Sequence, residues 1–593
     1  MHCTVIMGGD VIDVVNQDIL RGDLRIEDGI ITALGRDLDC GSADMVIDAQ
    51  GCYISPGFID SHIHIESTML PPLEFARTAV AHGTTTVLVD PHEITNVFGR
   101  KAIDFFLHQS DILPMDMFIG IPSCVPATSL ENSGAAISLD DILSYLPDRR
   151  VYGLAEMMDY FDIIHGRGSA RQKVQAVFDY GKIVDGHCPG LRGEELHAYI
   201  SNGLRDGRVR IMSDHESTTY EEAAEKIRAG LHLAVRYGSA ERDLDHILPG
   251  LIKNGDDLTQ CMLCSDDLDP ADLFRYGHVD RIIRRAAAIF EKNSSLSRRE
   301  AILRALPMAT CNPAGYLKSH YDRYNLPPAG TVSLGAQGSL VLLSDLEKLE
   351  VQSVVYKGRL ILDRGCYLPR PISYDYSQLT ESVNPGRIFA PGDFCIPCPD
   401  KAGTHRVHVI EIDHESLPTR DRIEPMEPRQ LDHRAQLTAN PERDIAEIAV
   451  IERHHARGSF SLGFASGLGL RRGAIASTIT HDSHNLIVAG MDTESMSHAV
   501  NFLSRHGGGM VVIEDDKTVF FPLQIGGLMS VKPIREVVKD YEKVRRSARK
   551  LGAPTEDIFM VLSFLALPVI PEIRITDRGL VDVARMSLIS LFD

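Results

Sequence analysis

Two histidines spaced two residues apart, at the end of an apolar run, are the strongest chemical signal in this chain: Gly57-Phe58-Ile59-Asp60-Ser61-His62-Ile63-His64. On a strand, alternate side chains share a face, so both imidazoles leave on the same side. Two neutral imidazoles converging at one strand end suit a divalent cation. Donors of the same kind follow short apolar runs downstream. Glu156 follows Gly153-Leu154-Ala155, His187 follows 183–186, His215 follows 209–213 and Asp266 follows 261–265. Taken singly, such a glutamate is commonly a solvated surface group and such a histidine a satisfied structural one. Together, His62, His64, Glu156, His187, His215 and Asp266 form a donor set for two cations, with a carboxylate bridging them. Asp90-Pro91-His92-Glu93 ends another apolar run. His92 and Glu93 should therefore face the same mouth, either as acid–base groups or as parts of a structural turn.

Such a set needs a scaffold that brings strand ends together. From Tyr53 onward, apolar runs at 84–89, 116–120, 151–155, 182–185, 209–212 and 260–263 alternate with amphipathic segments such as 72–81, 220–229 and 278–291. This alternation, over about 270 residues, predicts an α/β fold of the (β/α)8 TIM-like barrel type, whose C-terminal strand ends form the mouth. An open doubly wound sheet would show a glycine-rich first turn, and none follows the first run. Strand-rich segments precede the barrel at 11–15, 23–26, 29–34 and 45–48 and return at 338–343 and 351–362. The predicted division is a composite β domain from 1–55 and 327–368, a barrel over 56–326, a proline-rich linker over 369–399 and a C-terminal α/β domain over 400–593.

Composition excludes several classes. A chain of 593 residues is too long for one core. A net charge of −21 argues against a nucleic-acid surface. Eleven scattered cysteines are not a disulfide framework, and no apolar run reaches the roughly 20 residues of a membrane span. A reducing cytoplasm is the expected location, with no membrane or nucleic-acid partner. His64-x-Glu66 and Cys261-x-x-Cys264 imitate a zinc cytidine-deaminase pattern but lie about 200 residues apart. Cys261 and Cys264 read as core thiols. Thr480-His481-Asp482-Ser483-His484-Asn485 is unusually polar between two apolar strands. It would close over the barrel, bind an extra metal, or form a polar turn.

The run 56–67 resembles the first-strand signature of the amidohydrolase superfamily, and its extension through Glu66-Ser67 resembles the adenine deaminases in particular. So do Asp90-Pro91-His92-Glu93-Ile94, Ser123-Cys124-Val125-Pro126-Ala127, and the segments 153–160, 185–190, 261–267, 477–485 and 566–571. The resemblance implies a binuclear site of manganese or iron, with zinc also compatible with the donors. Carried over by position, His62 and His64 bind one metal, Glu156 bridges, and His187, His215 and Asp266 complete the set; His215 would alternatively orient substrate. The implied reaction converts adenine to hypoxanthine and ammonia through attack of a metal-bridging hydroxide. Asp266 would shuttle the proton, and one of His92, Glu93, Glu216 or Asp267 would protonate the ring. A homo-oligomer, a homodimer first, is the expected assembly. The alternatives are an amidohydrolase for another heterocycle or cyclic amide, and a non-catalytic scaffold of the same fold.

Overall fold

The structure is a computed structural model describing residues 2–398, 403–414, 418–431, 434–555 and 557–593. Eight parallel strands follow one another around a ring: β1 (Phe58–Ile63), β2 (Thr84–Val89), β3 (Asp116–Ile121), β4 (Val151–Met157), β5 (Ile183–Gly186), β6 (Ser213–Asp214), β7 (His232–Arg236) and β8 (Cys261–Cys264). Strands β1–β5 form one ladder and β6–β8 another. The ladders join on both sides. Met212 donates to the Val184 carbonyl at 2.9 Å, and Asp266 donates to the His62 carbonyl at 3.1 Å. The strands are buried along almost their whole length, as expected where helices cover the outside of a barrel. Amphipathic sequence makes that cover: the helices Pro72–Ala81, Tyr220–Arg228 and Val279–Asn293 bury Phe75, Ala223 and Ile283 beneath polar outer faces.

Two strands differ from the expected pattern. The run 209–212 is not a strand, because Arg210 and Ile211 spend their N–H groups on the Ile200 carbonyl at 2.7 and 3.2 Å. The sixth strand is therefore only Ser213–Asp214. The seventh, His232–Arg236, has no counterpart among the runs read from sequence. Its apolar stretch is only Leu233-Ala234-Val235, framed by His232 and Arg236.

The flanking segments share one nine-stranded sheet. Tyr53–Pro56 pairs antiparallel with Leu340–Asp345, placing Leu340 opposite Pro56 and Leu343 opposite Tyr53. Ile6, Leu24, Ile54, Leu340 and Val355 pack on its inner side. Residues 369–398 carry little regular structure, yet Phe389 and Phe394 are buried in the core beyond them.

The C-terminal region is built on an eight-stranded sheet, antiparallel except where His405–Ile412 runs beside Phe460–Ser466. Antiparallel neighbours join through short turns, with the helices Thr493–Arg505 and Ile534–Leu551 packed on the sheet. This region touches the barrel mouth directly. Ser530 donates to the Met69 carbonyl at 2.8 Å, and Thr576 donates to that of Leu130 at 2.7 Å. Among the described residues, no helix is long and apolar enough to cross a membrane.

Candidate metal centre and active site

All six expected donors meet at the C-terminal end of the barrel. His62 and His64 leave β1 on one face, with their Nε2 atoms 3.2 Å apart. Asp266 Oδ1 lies 3.4 Å from the first and 3.2 Å from the second. Across the mouth, Glu156 Oε2 lies 3.1 Å from His187 Nδ1 and 2.8 Å from His215 Nε2. The other Glu156 oxygen, Oε1, faces His64 at 3.8 Å and His92 Nδ1 at 3.3 Å. Ligands bonded at about 2.0–2.2 Å to one cation stand roughly 3–3.5 Å apart, so these separations fit two ions. The donors are also oriented in a way that would suit a cation. His64 Nδ1 sits 3.0 Å from the Asp90 carbonyl, which can only accept, so its proton is on Nδ1 and the Nε2 lone pair points into the site.

His92 falls among the donors. Its Nδ1 lies 3.3 Å from both Glu156 Oε1 and Asp90 Oδ2, and the three form one candidate cation group with His64. The two Asp90 carboxylate oxygens and His92 Nδ1 are buried without hydrogen-bond partners among the described residues. A cation would satisfy such orphaned donors. Glu93, one residue on, points toward Ser67, whose hydroxyl donates to it at 3.3 Å.

Electrostatics match this reading. Burial alone would raise the Glu156 and Asp266 carboxyls. The imidazoles beside them, with Arg236 beside Asp266, bring both well below the usual carboxylate range. Farther round the mouth, burial and the neighbouring Glu93 push Glu66 up to about 8, and burial with Asp267 does the same to Glu241. A site so crowded with carboxylates holds cations readily.

Sequence reasoning passed over Arg236 altogether and gave Asp90 no role of its own. Arg236 ends the unrecognised β7, with its guanidinium 3.3 Å from Asp266 Oδ2 and also on Glu216. Asp90 was visible in its motif, but as part of a turn. Asp267, one of the candidate ring acids, would leave on the far face if strand alternation ran on past Asp266. Asp266 instead has φ of 50°, in the left-handed region, so alternation breaks there. The Asp267 carboxylate stays near the mouth and accepts from Ser67. Cys261 and Cys264 are buried in β8, and burial pushes the Cys261 thiol up to about 12.

Beneath His187 and His215 lies a buried network. Lys226 Nζ donates to the Cys188 carbonyl at 2.7 Å, to Asp214 Oδ2 at 2.9 Å and to Glu222 Oε1 at 2.7 Å. Asp214 Oδ1 in turn accepts from the Cys188 N–H at 3.0 Å. The network ties together the two loops that carry His187 and His215. Despite burial, Lys226 lowers the Asp214 carboxyl and is itself raised. A lowered Asp stabilises above its unfolded pKa of about 4, and a raised Lys below its unfolded value of about 10. The pair's contribution is thus complete between those limits and lost outside them. Lys226→Met leaves Asp214 charged and unpaired. It should cost about 3–5 kcal/mol in denaturant unfolding at neutral pH; a loss under about 1 kcal/mol would contradict the network's role.

Comparisons with known proteins agree with this geometry. The amidohydrolase family matches residues 53–361, and the adenine deaminase C-terminal domain matches residues 419–587. An adenine deaminase of Desulfatibacillum aliphaticivorans is 37% identical over 591 residues, covering 99% of this chain and 97% of the relative. One of Methanothrix thermoacetophila is 39% identical, covering 99% and 96%. One of Methanococcoides burtonii is 37% identical, covering 100% and 96%. A relationship running from the N-terminal sheet to the last strands of the C-terminal region places this chain in the adenine deaminase family of the amidohydrolases.

Proposed function

We propose that this protein is an adenine deaminase, hydrolysing adenine to hypoxanthine and ammonia with two divalent ions, manganese or iron. The observation that carries the reading is the donor set: His62, His64 and Asp266 on one side, and His187 and His215 on the other, with Glu156 reaching both. Ions held by that set would supply Lewis acidity and would lower the pKa of a bound water. The chain's own residues supply the proton traffic. Asp266 takes the proton of the attacking water and delivers it to the leaving amine. Arg236 orients the Asp266 carboxylate. Glu93, beside the mouth and raised by burial, starts protonated, hydrogen-bonds the purine ring, donates to the ring nitrogen as the carbon becomes tetrahedral, and takes back the hydroxyl proton of that carbon as ammonia leaves. His92 acts with the metal donors. We further assign residues 1–55 with 327–368 as one supporting domain, 56–326 as the catalytic barrel, 369–399 as the connection and 400–593 as the C-terminal domain. The expected form is a cytoplasmic homodimer.

Elemental analysis of purified protein should find two ions per chain. Chelation followed by manganese or iron should restore ammonia release from adenine, tested beside a panel of purines and cyclic amides. Metal-replete protein that leaves adenine intact while hydrolysing another heterocycle would overturn the substrate assignment.

A further inference from the structure

The polar segment 480–485 does more than turn between its flanking strands, Ala474–Ser477 and Leu486–Gly490. It lies against the barrel mouth and reaches two consecutive barrel residues. Asp482 Oδ1 lies 3.7 Å from His92 Nε2, while two imidazoles close on Glu93. His481 Nδ1 is 3.3 Å from Glu93 Oε1, and His484 Nε2 is 3.7 Å from Glu93 Oε2. One imidazole thus faces each carboxylate oxygen. All three side chains are buried, at 2% exposure for Glu93, 3% for His481 and 0% for His484.

Both rings are aimed by contacts on their far sides. The His481 ring stacks on Phe564, with centroids 5.0 Å apart and planes 17° from parallel, and its backbone N–H donates to Ser563 Oγ at 3.0 Å. The His484 backbone N–H donates to the Thr480 carbonyl at 2.7 Å, and the Arg453 guanidinium donates to the His484 carbonyl. Each of these contacts comes from the C-terminal region, and none from the barrel.

The tautomer of His484 decides between two uses of this cluster. Glu93, His481 and His484 have ligand atoms close enough together to hold a cation. The Thr480 N–H, however, donates to His484 Nδ1 at 3.2 Å. That nitrogen therefore carries the lone pair, and the proton of the neutral ring sits on Nε2, the atom facing Glu93. Nε2 then carries a proton and no lone pair for a metal, and at 3.7 Å from Oε2 it faces Glu93 as a buried N–H just beyond hydrogen-bond distance.

We propose that His481 and His484 are positioning residues. Through them, the C-terminal domain sets one imidazole against each oxygen of Glu93, His481 within ion-pair reach and His484 behind it, so the barrel's site is incomplete without that domain. The inference rests on the deaminase reading for what Glu93 does, but not for how Glu93 is held. On the barrel side the hydrogen bond to Glu93 comes from Ser67, whose single hydroxyl proton is shared with Asp267. The clamp therefore fixes an orientation that the barrel leaves underdetermined.

The test is a double-mutant cycle in the full-length, metal-loaded protein. His481→Ala and His484→Ala should each lower kcat by about 10²-fold, the usual effect of displacing a reacting group by an ångström, with two ions per chain retained. His484→Gln keeps an N–H donor and should recover most of the turnover. In a Glu93→Gln background, the same histidine substitutions should cause no further loss. Ser563→Ala, which loosens only the anchor of His481, should behave likewise on a smaller scale, and it serves where His481→Ala fails to fold. Losses that persist undiminished in the Glu93→Gln background would overturn the clamp. So would a third ion that disappears with either histidine, since that would make the cluster a metal site. Ratios are taken on whichever substrate the wild-type protein turns over. Failure on adenine then counts against the substrate assignment, and failure of the cycle counts against the clamp.

Discussion

Asp266→Asn, reloaded with excess divalent metal, should still hold two ions yet release ammonia on the order of 10²–10⁴-fold more slowly, the usual worth of general acid–base catalysis. Asn keeps the size and one ligating oxygen, so His62, His64 and that oxygen still offer a cation three donors. What the amide cannot do is take up and return a proton each turnover. The surroundings of Asp266 sharpen the expectation. Burial acts to raise its carboxyl, but His62, His64 and Arg236 hold it well below the usual range. These neighbours favour its ionised form, the form that can accept a proton. Arg236, 3.3 Å from Oδ2, leaves Oδ1 as the oxygen on the metal side. The measurement is ammonia released per metal-loaded site, with metal counted on the same sample. Near-normal turnover would move the proton-transfer role elsewhere, Glu93 first. Asp267→Asn is not a neutral comparison, because the Asp267 carboxylate also lies at the mouth, bonded to Ser67.

His62→Ala or His64→Ala should lose metal and activity together, and more completely than Asp266→Asn. Each removes a nitrogen from a group in which few other donors stand within reach. Without His64, Asp266 Oδ1 loses its nearer imidazole and keeps His62 at 3.4 Å, and Glu156 Oε1 loses a neighbour at 3.8 Å. Without His62, the His215 ring also loses the imidazole stacked on it, 4.0 Å between centroids. The loss should show as fewer than two ions per chain after dialysis, and excess metal should restore little turnover, because a missing ligand also changes the geometry in which substrate is held. A variant that keeps two ions and normal turnover would show that β1 is not a metal strand.

Much of the site was legible before any fold was known, for a local reason. Each of its six donors sits at or just beyond the C-terminal end of an apolar segment, and a barrel gathers those strand ends at one mouth. The His-x-His spacing carries its own geometry, since a strand period of two sends both rings the same way. The barrel was legible because its strand–helix alternation is periodic along the chain. The sixth and seventh strands were the exceptions. One had its apolar run diverted into a bond with the carbonyl of Ile200, and the other had too few apolar residues to register.

Donor types and their spacing along the chain therefore determined a cluster of imidazoles and carboxylates suited to divalent cations, on a (β/α)8 scaffold, while the hydrolytic reaction was read from the family resemblance. Three things were decided only by tertiary structure. Arg236 joined Asp266 because barrel closure brings the end of β7 beside the residues that follow β8. Asp267 stayed in the site because a left-handed φ at Asp266 cancels the alternation that sequence assumes. His481 and His484 met Glu93 across nearly 400 residues of chain, because the C-terminal sheet packs its polar turn onto the barrel mouth. Periodicity reports which face a side chain takes within its own element. Which elements then face one another depends on packing between segments distant in sequence, and no local pattern records it.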